Sequence, residues 1–91
     1  MTKTLMSVQH SVNDFDSWRK GYEEVQPLRD EHGVTEATVL QDPADPNSVT
    51  VLHWFASLDQ ARAFAGDPGL KDAMSRAGVS GPPRIEITVE A

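Results

Sequence analysis

The strongest strand signal in the chain lies at residues 48–56, where the sequence reads SVTVLHWFA. Apolar and polar residues alternate there and many are β-branched or aromatic, as in a strand with one buried face. Ser57 and Gln60 follow at the spacing of a capping box, which predicts that a helix begins directly after the strand. The stretch therefore predicts an aromatic strand end that turns sharply into a helix.

Two further strands precede this corner. Residues 34–41 alternate in the same way, and the turn-rich sequence at 42–47, DPADPN, connects them to the strand at 48–56 as an antiparallel hairpin. Residues 4–12, TLMSVQHSV, also alternate. Between the first two strands, Asn13 or Asp14 caps a helix that Gly33 ends, and Pro27 predicts a kink or restart within it. Its apolar residues follow the helical period: Phe15, Trp18, Tyr22, Val25 and Leu28.

The helix after Ser57 stops at Gly66, and Asp67-Pro68 restarts a helix that ends before Gly78. Pro82-Pro83 imposes extended chain, and residues 84–90, RIEITVE, form the last strand. The order is β-α-β-β-α-β. It predicts an α+β fold of the ferredoxin-like type over residues 1–91, in which four antiparallel strands carry helices on one face.

Composition excludes several classes of protein. Ninety-one residues suffice for one domain, and the absence of cysteine removes thiolate chemistry and cysteine-based metal sites. The net charge of −6 argues against nucleic acid and against anionic membrane surfaces as partners. With neither an apolar stretch long enough to span a membrane nor an apolar signal core, the sequence predicts a cytoplasmic protein.

A second prediction concerns the face of the sheet that lies away from the helices. Strand parity places Leu5, Leu40, Leu52 and Trp54 on that face, which is more apolar surface than a monomer usually exposes. We expect a homodimer in which two sheets pack face to face, with Trp54 as an anchor. The alternative is a half-exposed sheet with scattered apolar residues.

His10 and His53 have the parity of the helix-covered face, where each is a candidate catalytic group or, alternatively, a hydrogen-bonded core residue. Aligned strand midpoints place them four residues apart, or about 14 Å, which is too far for direct proton transfer. Between them we expect a pocket for a flat, apolar ligand, or else a filled core. The remaining candidate site residues are Asn13, Trp18, Tyr22, Phe55, Phe64 and Met74. The three histidines lack the short spacing of metal ligands, so no metal site is expected.

The element order, the length and the segment at 53–74, HWFASLDQARAFAGDPGLKDAM, resemble the dimeric α+β barrel superfamily. The nearest resemblance is to its antibiotic-biosynthesis monooxygenase-like branch and to small cyclase-like proteins. Some members oxidise aromatic polyketides without metal or flavin, and others degrade haem. His10, Phe55 and Met74 stand where haem-degrading members carry asparagine, tryptophan and the haem-ligating histidine, so haem ligation is not expected.

The resemblance implies an oxygenase or cyclase that needs no cofactor and acts on an aromatic or polyketide-like substrate. His10 would be the base or hydrogen-bond donor, and Tyr22 or His53 would hold a substrate oxygen. The alternative from another class is a non-catalytic module that binds a small apolar molecule.

Overall fold

The structure, a computed structural model, describes residues 3–91. Along the chain the elements are β1 (Thr4–Val12), α1 (Phe15–Glu24), α2 (Gln26–Glu31), β2 (Val34–Asp42), β3 (Asp45–Phe55), α3 (Leu58–Ala65), α4 (Pro68–Arg76) and β4 (Val79–Val89). The strands form one antiparallel sheet in the order β2-β3-β1-β4. This confirms the predicted ferredoxin-like fold.

The helices begin and end close to their predicted signals. Asp14 caps α1 by accepting a hydrogen bond from the Ser17 N–H at 3.0 Å. The helical path breaks at Val25, and Pro27 lies in the first turn of α2, where its missing N–H leaves no hydrogen bond unmade. Ser57 caps α3 and Asp67 caps α4. The predicted restart at Pro27 is confirmed.

The hairpin between β2 and β3 is tighter than predicted. The strands pair as far as Asp42 and Asp45, so the turn consists of Pro43 and Ala44 alone and the predicted connection over 42–47 is wrong. The Asp42 carboxylate accepts from the Ala44 N–H at 2.7 Å, and the Asp45 carboxylate accepts from the Asn47 N–H at 3.0 Å. These side chains stabilise the backbone locally and allow extended pairing up to the turn.

The last strand begins at Val79 instead of residue 84 and runs through Pro82-Pro83. β4 is an edge strand, where proline is tolerated. Its pairing with β1 shifts between Gln9 and Ser11, so the segment at 81–83 bulges opposite His10. Gly81 supplies the positive φ of 77° in this bulge.

The two sheet faces differ as expected. Met6, Val8 and His10 of β1 are buried beneath the helices, whereas Leu5 on the other face is half-buried. Leu5 pairs directly with Trp54, and Ser7 with Leu52, which also belong to this uncovered face. The partition of residues between faces is confirmed, and the sheet-to-sheet dimer stays a prediction.

Two buried clusters form the core beneath the helices. One is built around Met6, Phe55 and Phe64, and the other around Trp18 and Val49. Helices α1 and α4 approach closely above them, because a Cβ added at Gly21 would lie 2.9 Å from the Cβ of Ala77. Among residues 3–91, no helix is long and apolar enough to cross a membrane.

Candidate functional site

A cavity of about 40 Å³ lies where the two core clusters meet, between the sheet and the four helices. Six of the eight predicted site residues line it. They are His10, Trp18, Tyr22, His53, Phe64 and Met74. The sheet supplies both histidines and the helices supply the other side chains, as expected for a pocket between sheet and helices.

The two other predicted residues lie outside the cavity wall. Phe55 is buried behind Phe64, with ring centroids 5.8 Å apart, so a ligand would reach it only past Phe64. Asn13 is exposed, and its backbone N–H donates to the Gly78 carbonyl at 2.9 Å. Asn13 therefore joins the start of α1 to the chain after α4, and neither residue makes a direct contact with the cavity.

A row of rings crosses the cavity from His10 to Phe64. Trp18 and Tyr22 are one helical turn apart on α1 and stack with centroids 5.0 Å apart. His10 meets the edge of Trp18 at 5.6 Å, and His53 lies 6.1 Å from Tyr22 and 5.3 Å from Phe64. The row provides a mostly apolar wall that suits a planar ligand.

Tyr22 and His53 form the one hydrogen-bonded side-chain pair in this row. The hydroxyl oxygen lies 3.2 Å from Nε2 of His53. Burial raises the pKa of Tyr22, and burial together with the nearby charge of Arg29 lowers the pKa of His53 from 6.5 to about 4. At neutral pH the pair is therefore an uncharged phenol and an uncharged imidazole.

His10 is a second neutral imidazole in the same cavity. Its exposed fraction is 4%, its Nδ1 is buried without a hydrogen-bond partner, and burial lowers its pKa below 6.5. Such a group can take a proton from a bound acid at neutral pH. The bulge of β4 lies opposite this residue, a placement common beside functional sites.

The two histidines lie far apart. Met6 of β1 is the register partner of His53, which puts His10 four residues further along β1. Strand geometry then separates their backbones by about 14 Å, as expected from the sequence. Trp18 and Tyr22 occupy the space between them, so a ligand along the ring row could meet both.

Arg29 is not among the residues predicted from the sequence, yet it lines the cavity and is 3% exposed. Its guanidinium carbon lies 3.8 Å from the centroid of the Tyr22 ring. A signal was present, since Trp18, Tyr22, Val25 and Arg29 recur at intervals of three and four residues. A charged residue at such a position is normally solvent-exposed, so the pattern alone does not predict a buried arginine.

The third histidine lies outside the cavity. His32 Nε2 is 2.7 Å from an oxygen of Asp67, and this bond joins the end of α2 to the cap of α4. The His32 ring also packs against Phe64 at 5.4 Å. Within residues 3–91, no three side chains among His, Cys, Asp and Glu are grouped so that they could hold a metal ion.

The volume of the cavity limits what it holds without rearrangement. About 40 Å³ accommodates a few water molecules at most, whereas pockets for ligands of drug size commonly measure about 300–1,000 Å³. An open groove of about 440 Å³ between α1 and α4 shares four lining residues with the cavity: Gly21, Val25, Ala73 and Ala77. Separation of the two helices along this groove would enlarge the cavity.

Fold and cavity together define a small ferredoxin-like protein with a cavity between sheet and helices. The sequence profile of the antibiotic biosynthesis monooxygenase family matches residues 9–76, more than half of the chain, and the chain belongs to that family. The family match supports a monooxygenase-type enzyme that acts on a small molecule. No curated protein matches the sequence.

Solved structures share the fold at low sequence identity. A protein from Bordetella bronchiseptica assigned to the same family has a TM-score of 0.82 at 11% identity, with 100% of this chain and 99% of that chain covered. A protein of unknown function from Nitrosomonas europaea has a TM-score of 0.76 at 21% identity and coverages of 99% and 90%. SnoaB, a cofactor-independent oxygenase from Streptomyces nogalater, has a TM-score of 0.69 at 14% identity and coverages of 99% and 91%.

Proposed function

We propose that the protein is a cofactor-independent oxygenase that oxidises an aromatic or polyketide-like compound in this cavity. The observation that carries the proposal is the neutral, buried His10 at one end of a row of rings that also contains the hydrogen-bonded pair of Tyr22 and His53. Family membership and the likeness to SnoaB support the same reaction class.

The substrate supplies the reducing power in this scheme. His10 removes a proton from a carbon or phenol whose anion is delocalised over the ring system. For an activated CH₂ group, the carbanion adds O₂, the peroxide takes up a proton, and loss of water leaves a carbonyl. One oxygen atom enters the product and the other leaves as water, so the four electrons that O₂ accepts come from the oxidised carbon.

Tyr22 and His53 would hold the substrate oxygen on which negative charge develops. The Tyr22 hydroxyl remains protonated because burial raises its pKa, and it can donate to that oxygen when neutral His53 carries its proton on Nε2 and donates to the hydroxyl oxygen. Fixed donors of this kind in an apolar site favour the anion over its neutral precursor. The aromatic wall would keep the substrate planar and in one orientation.

Ligand binding would have to widen the cavity. Met74 is the lining side chain best suited to move, because it is unbranched and only half-buried. The groove between α1 and α4 is the proposed route of entry, since it opens to solvent and shares part of its wall with the cavity.

The test uses an anthrone, whose CH₂ group lies between two aromatic rings. We expect the protein, without added metal or flavin, to convert it to the anthraquinone in air and not under argon. With ¹⁸O₂, label should appear in the new carbonyl, and His10→Ala should lose the activity while His32→Ala keeps it. Binding of the anthrone without O₂ uptake would overturn the proposal and favour the non-catalytic binding module. Consumption of an open-chain polyketide without O₂ would instead favour a cyclase.

A further inference from the structure

Among the described residues that line the cavity, Arg29 is the one with a full charge. The other lining residues are apolar, aromatic or histidine, and none is acidic. Within residues 3–91, the arginines that form ion pairs with carboxylates are Arg19, Arg76 and Arg84. Asp30 and Glu23 lie near enough to affect the pKa of Arg29, yet neither pairs with its guanidinium.

Neutral acceptors hold this buried cation in place. Nη1 donates to the Tyr22 carbonyl at 2.7 Å, and Nη2 donates to Oε1 of Gln26 at 3.1 Å. Gln26 is itself oriented by donating to Asp30 at 2.8 Å. These two bonds use two of the five N–H groups of a guanidinium. The face of the group packs on the Tyr22 ring, which restricts its orientation further.

The electrostatic state of the cavity follows from these contacts. Burial lowers the pKa of Arg29, but a guanidinium remains protonated in proteins. His10 and His53 are neutral near pH 7, since burial lowers the pKa of each, and they supply no compensating negative charge. Asp30 and Glu23 favour the charged form from a distance, but neither contacts the guanidinium, and a buried cation without a paired carboxylate is unfavourable. A bound anion would therefore relieve the unfavourable burial.

We propose that Arg29 binds an ionised oxygen of the ligand and that this cavity selects planar aromatic anions over their neutral counterparts. The ring of such a ligand would lie along Trp18 and Tyr22, and its carboxylate or ionised enol would meet the guanidinium. The inference rests on the proposed function only in taking this cavity as the substrate site. It makes Arg29 the residue that determines the charge of the substrate.

The test compares two ligands that share a ring and differ in charge, 2-naphthoate and 2-naphthamide, by isothermal titration calorimetry. We expect the wild-type protein to bind the carboxylate at least about tenfold more tightly, in line with a charge-assisted hydrogen bond in a buried site. Arg29→Gln should abolish this preference, and Arg29→Lys should keep part of it. NMR shifts on binding should centre on the Trp18 indole and the Tyr22 ring.

Arg19→Gln is the matched control. Arg19 also lies near Tyr22, at 5.7 Å, but its side chain is 43% exposed and pairs with Glu23. This variant should keep the preference for the carboxylate. Equal affinities in the wild-type protein, no binding of either ligand up to millimolar concentration, or a preference that survives in Arg29→Gln would overturn the proposal.

The binding result and the oxygenase result can fail separately. Charge preference is measured without O₂ and without turnover, so a protein that prefers 2-naphthoate but leaves the anthrone unchanged would retain this inference and lose the proposed reaction. Turnover of the anthrone without any charge preference would support the proposed reaction and overturn the inference about Arg29. If Arg29→Gln does not fold, the relative affinities of the wild-type protein for 2-naphthoate and 2-naphthamide still test whether the cavity prefers the anion.

Discussion

The Tyr22 hydroxyl lies 3.2 Å from Nε2 of His53, and this contact joins helix α1 to the central strand β3. His53 is 4% exposed, and Tyr22 is half-buried. His53 has its other ring nitrogen, Nδ1, buried without a partner. Among residues 3–91 the Tyr22 hydroxyl is thus the sole side-chain partner of a buried imidazole, and we expect stability and site geometry to depend on it.

Tyr22→Phe should lower the free energy of unfolding by about 1–3 kcal/mol, because it leaves a buried imidazole nitrogen unpaired. In the Tyr22→Phe variant, the further change His53→Phe should lower the free energy of unfolding much less than it does in the wild-type protein, because both hydrogen-bond partners are then absent. Urea denaturation of the two single variants and the double variant gives the coupling energy. Additive losses would show that the contact contributes nothing to stability.

The pH dependence of stability should report His53. Its folded pKa of about 4 lies below the ordinary 6.5, so between these values the unfolded chain binds a proton that the folded chain does not. The contribution of His53 to the free energy of unfolding should therefore be present in full above about pH 7 and fall by about 2–3 kcal/mol as the pH is lowered to about 4. His10 contributes in the same direction, because burial lowers its pKa as well.

The comparison that isolates His53 is urea denaturation of the wild-type protein and of His53→Gln at about pH 7 and about pH 4.5. The variant should lose less stability on acidification. Parallel losses in the two proteins would contradict a depressed pKa at this position. NMR titration of the His53 ring in the folded protein should likewise show the neutral form at about pH 6.

His10→Ala should reduce turnover by about 10²–10⁴-fold if His10 is the general base. Removal of the buried ring should also lower stability by about 1–3 kcal/mol. His32→Ala controls for destabilisation, because His32 lies outside the cavity and pairs with Asp67. A His10→Ala protein that melts earlier yet retains full activity would exclude His10 from the reaction.

Trp54→Glu should abolish the predicted homodimer. Trp54 pairs with Leu5 on the face without helices, and a buried carboxylate in a sheet-to-sheet interface would have no partner. Light scattering should give about twice the chain mass of 10.0 kDa for the wild-type protein and monomer or aggregate for the variant. Ala63→Glu adds the same charge at an exposed position on α3 and should remain dimeric. A wild-type monomer at micromolar concentration would contradict the prediction.

Gly21→Ala should destabilise the protein although alanine is the better helix former. Helix propensity favours alanine by about 0.5–1 kcal/mol. The new Cβ would lie 2.9 Å from the Cβ of Ala77, and a clash of this kind commonly costs about 1–3 kcal/mol. Adding Ala77→Gly should restore part of the loss, measured as the melting temperature. A single variant that is more stable than wild type would show that α1 and α4 separate easily.

Local signals were enough to predict most of the fold. The break at Pro27, the caps at Ser57 and Asp67 and the partition of strand residues between faces all follow from the chemistry of residues close in sequence. The start of β4 could not be predicted in this way. Pro82-Pro83 reads as a strand breaker, and only the position of β4 at the sheet edge makes a strand through two prolines possible.

The candidate site was also predictable in part, because local sequence patterns place several of its residues. Helix period and strand parity place Trp18, Tyr22, His10 and His53 towards one layer, and the structure brings them together. The burial of Arg29 depends on how α2 continues the buried face of α1. Its charge predicts an exposed side chain, so the sequence does not indicate this burial. The small volume of the cavity arises from packing across four helices and the sheet, which no local pattern encodes.

The prolines of β4 also bear on how the protein resists aggregation. An unprotected edge strand invites a strand from another molecule to extend the sheet. At this edge Pro82 and Pro83 remove two N–H donors, and the bulge with Gly81 twists the backbone out of regular pairing. A second chain therefore cannot form a continuous ladder along the whole of β4, because the ladder would be interrupted at residues 81–83, and this interruption hinders the edge-to-edge growth from which fibrils develop.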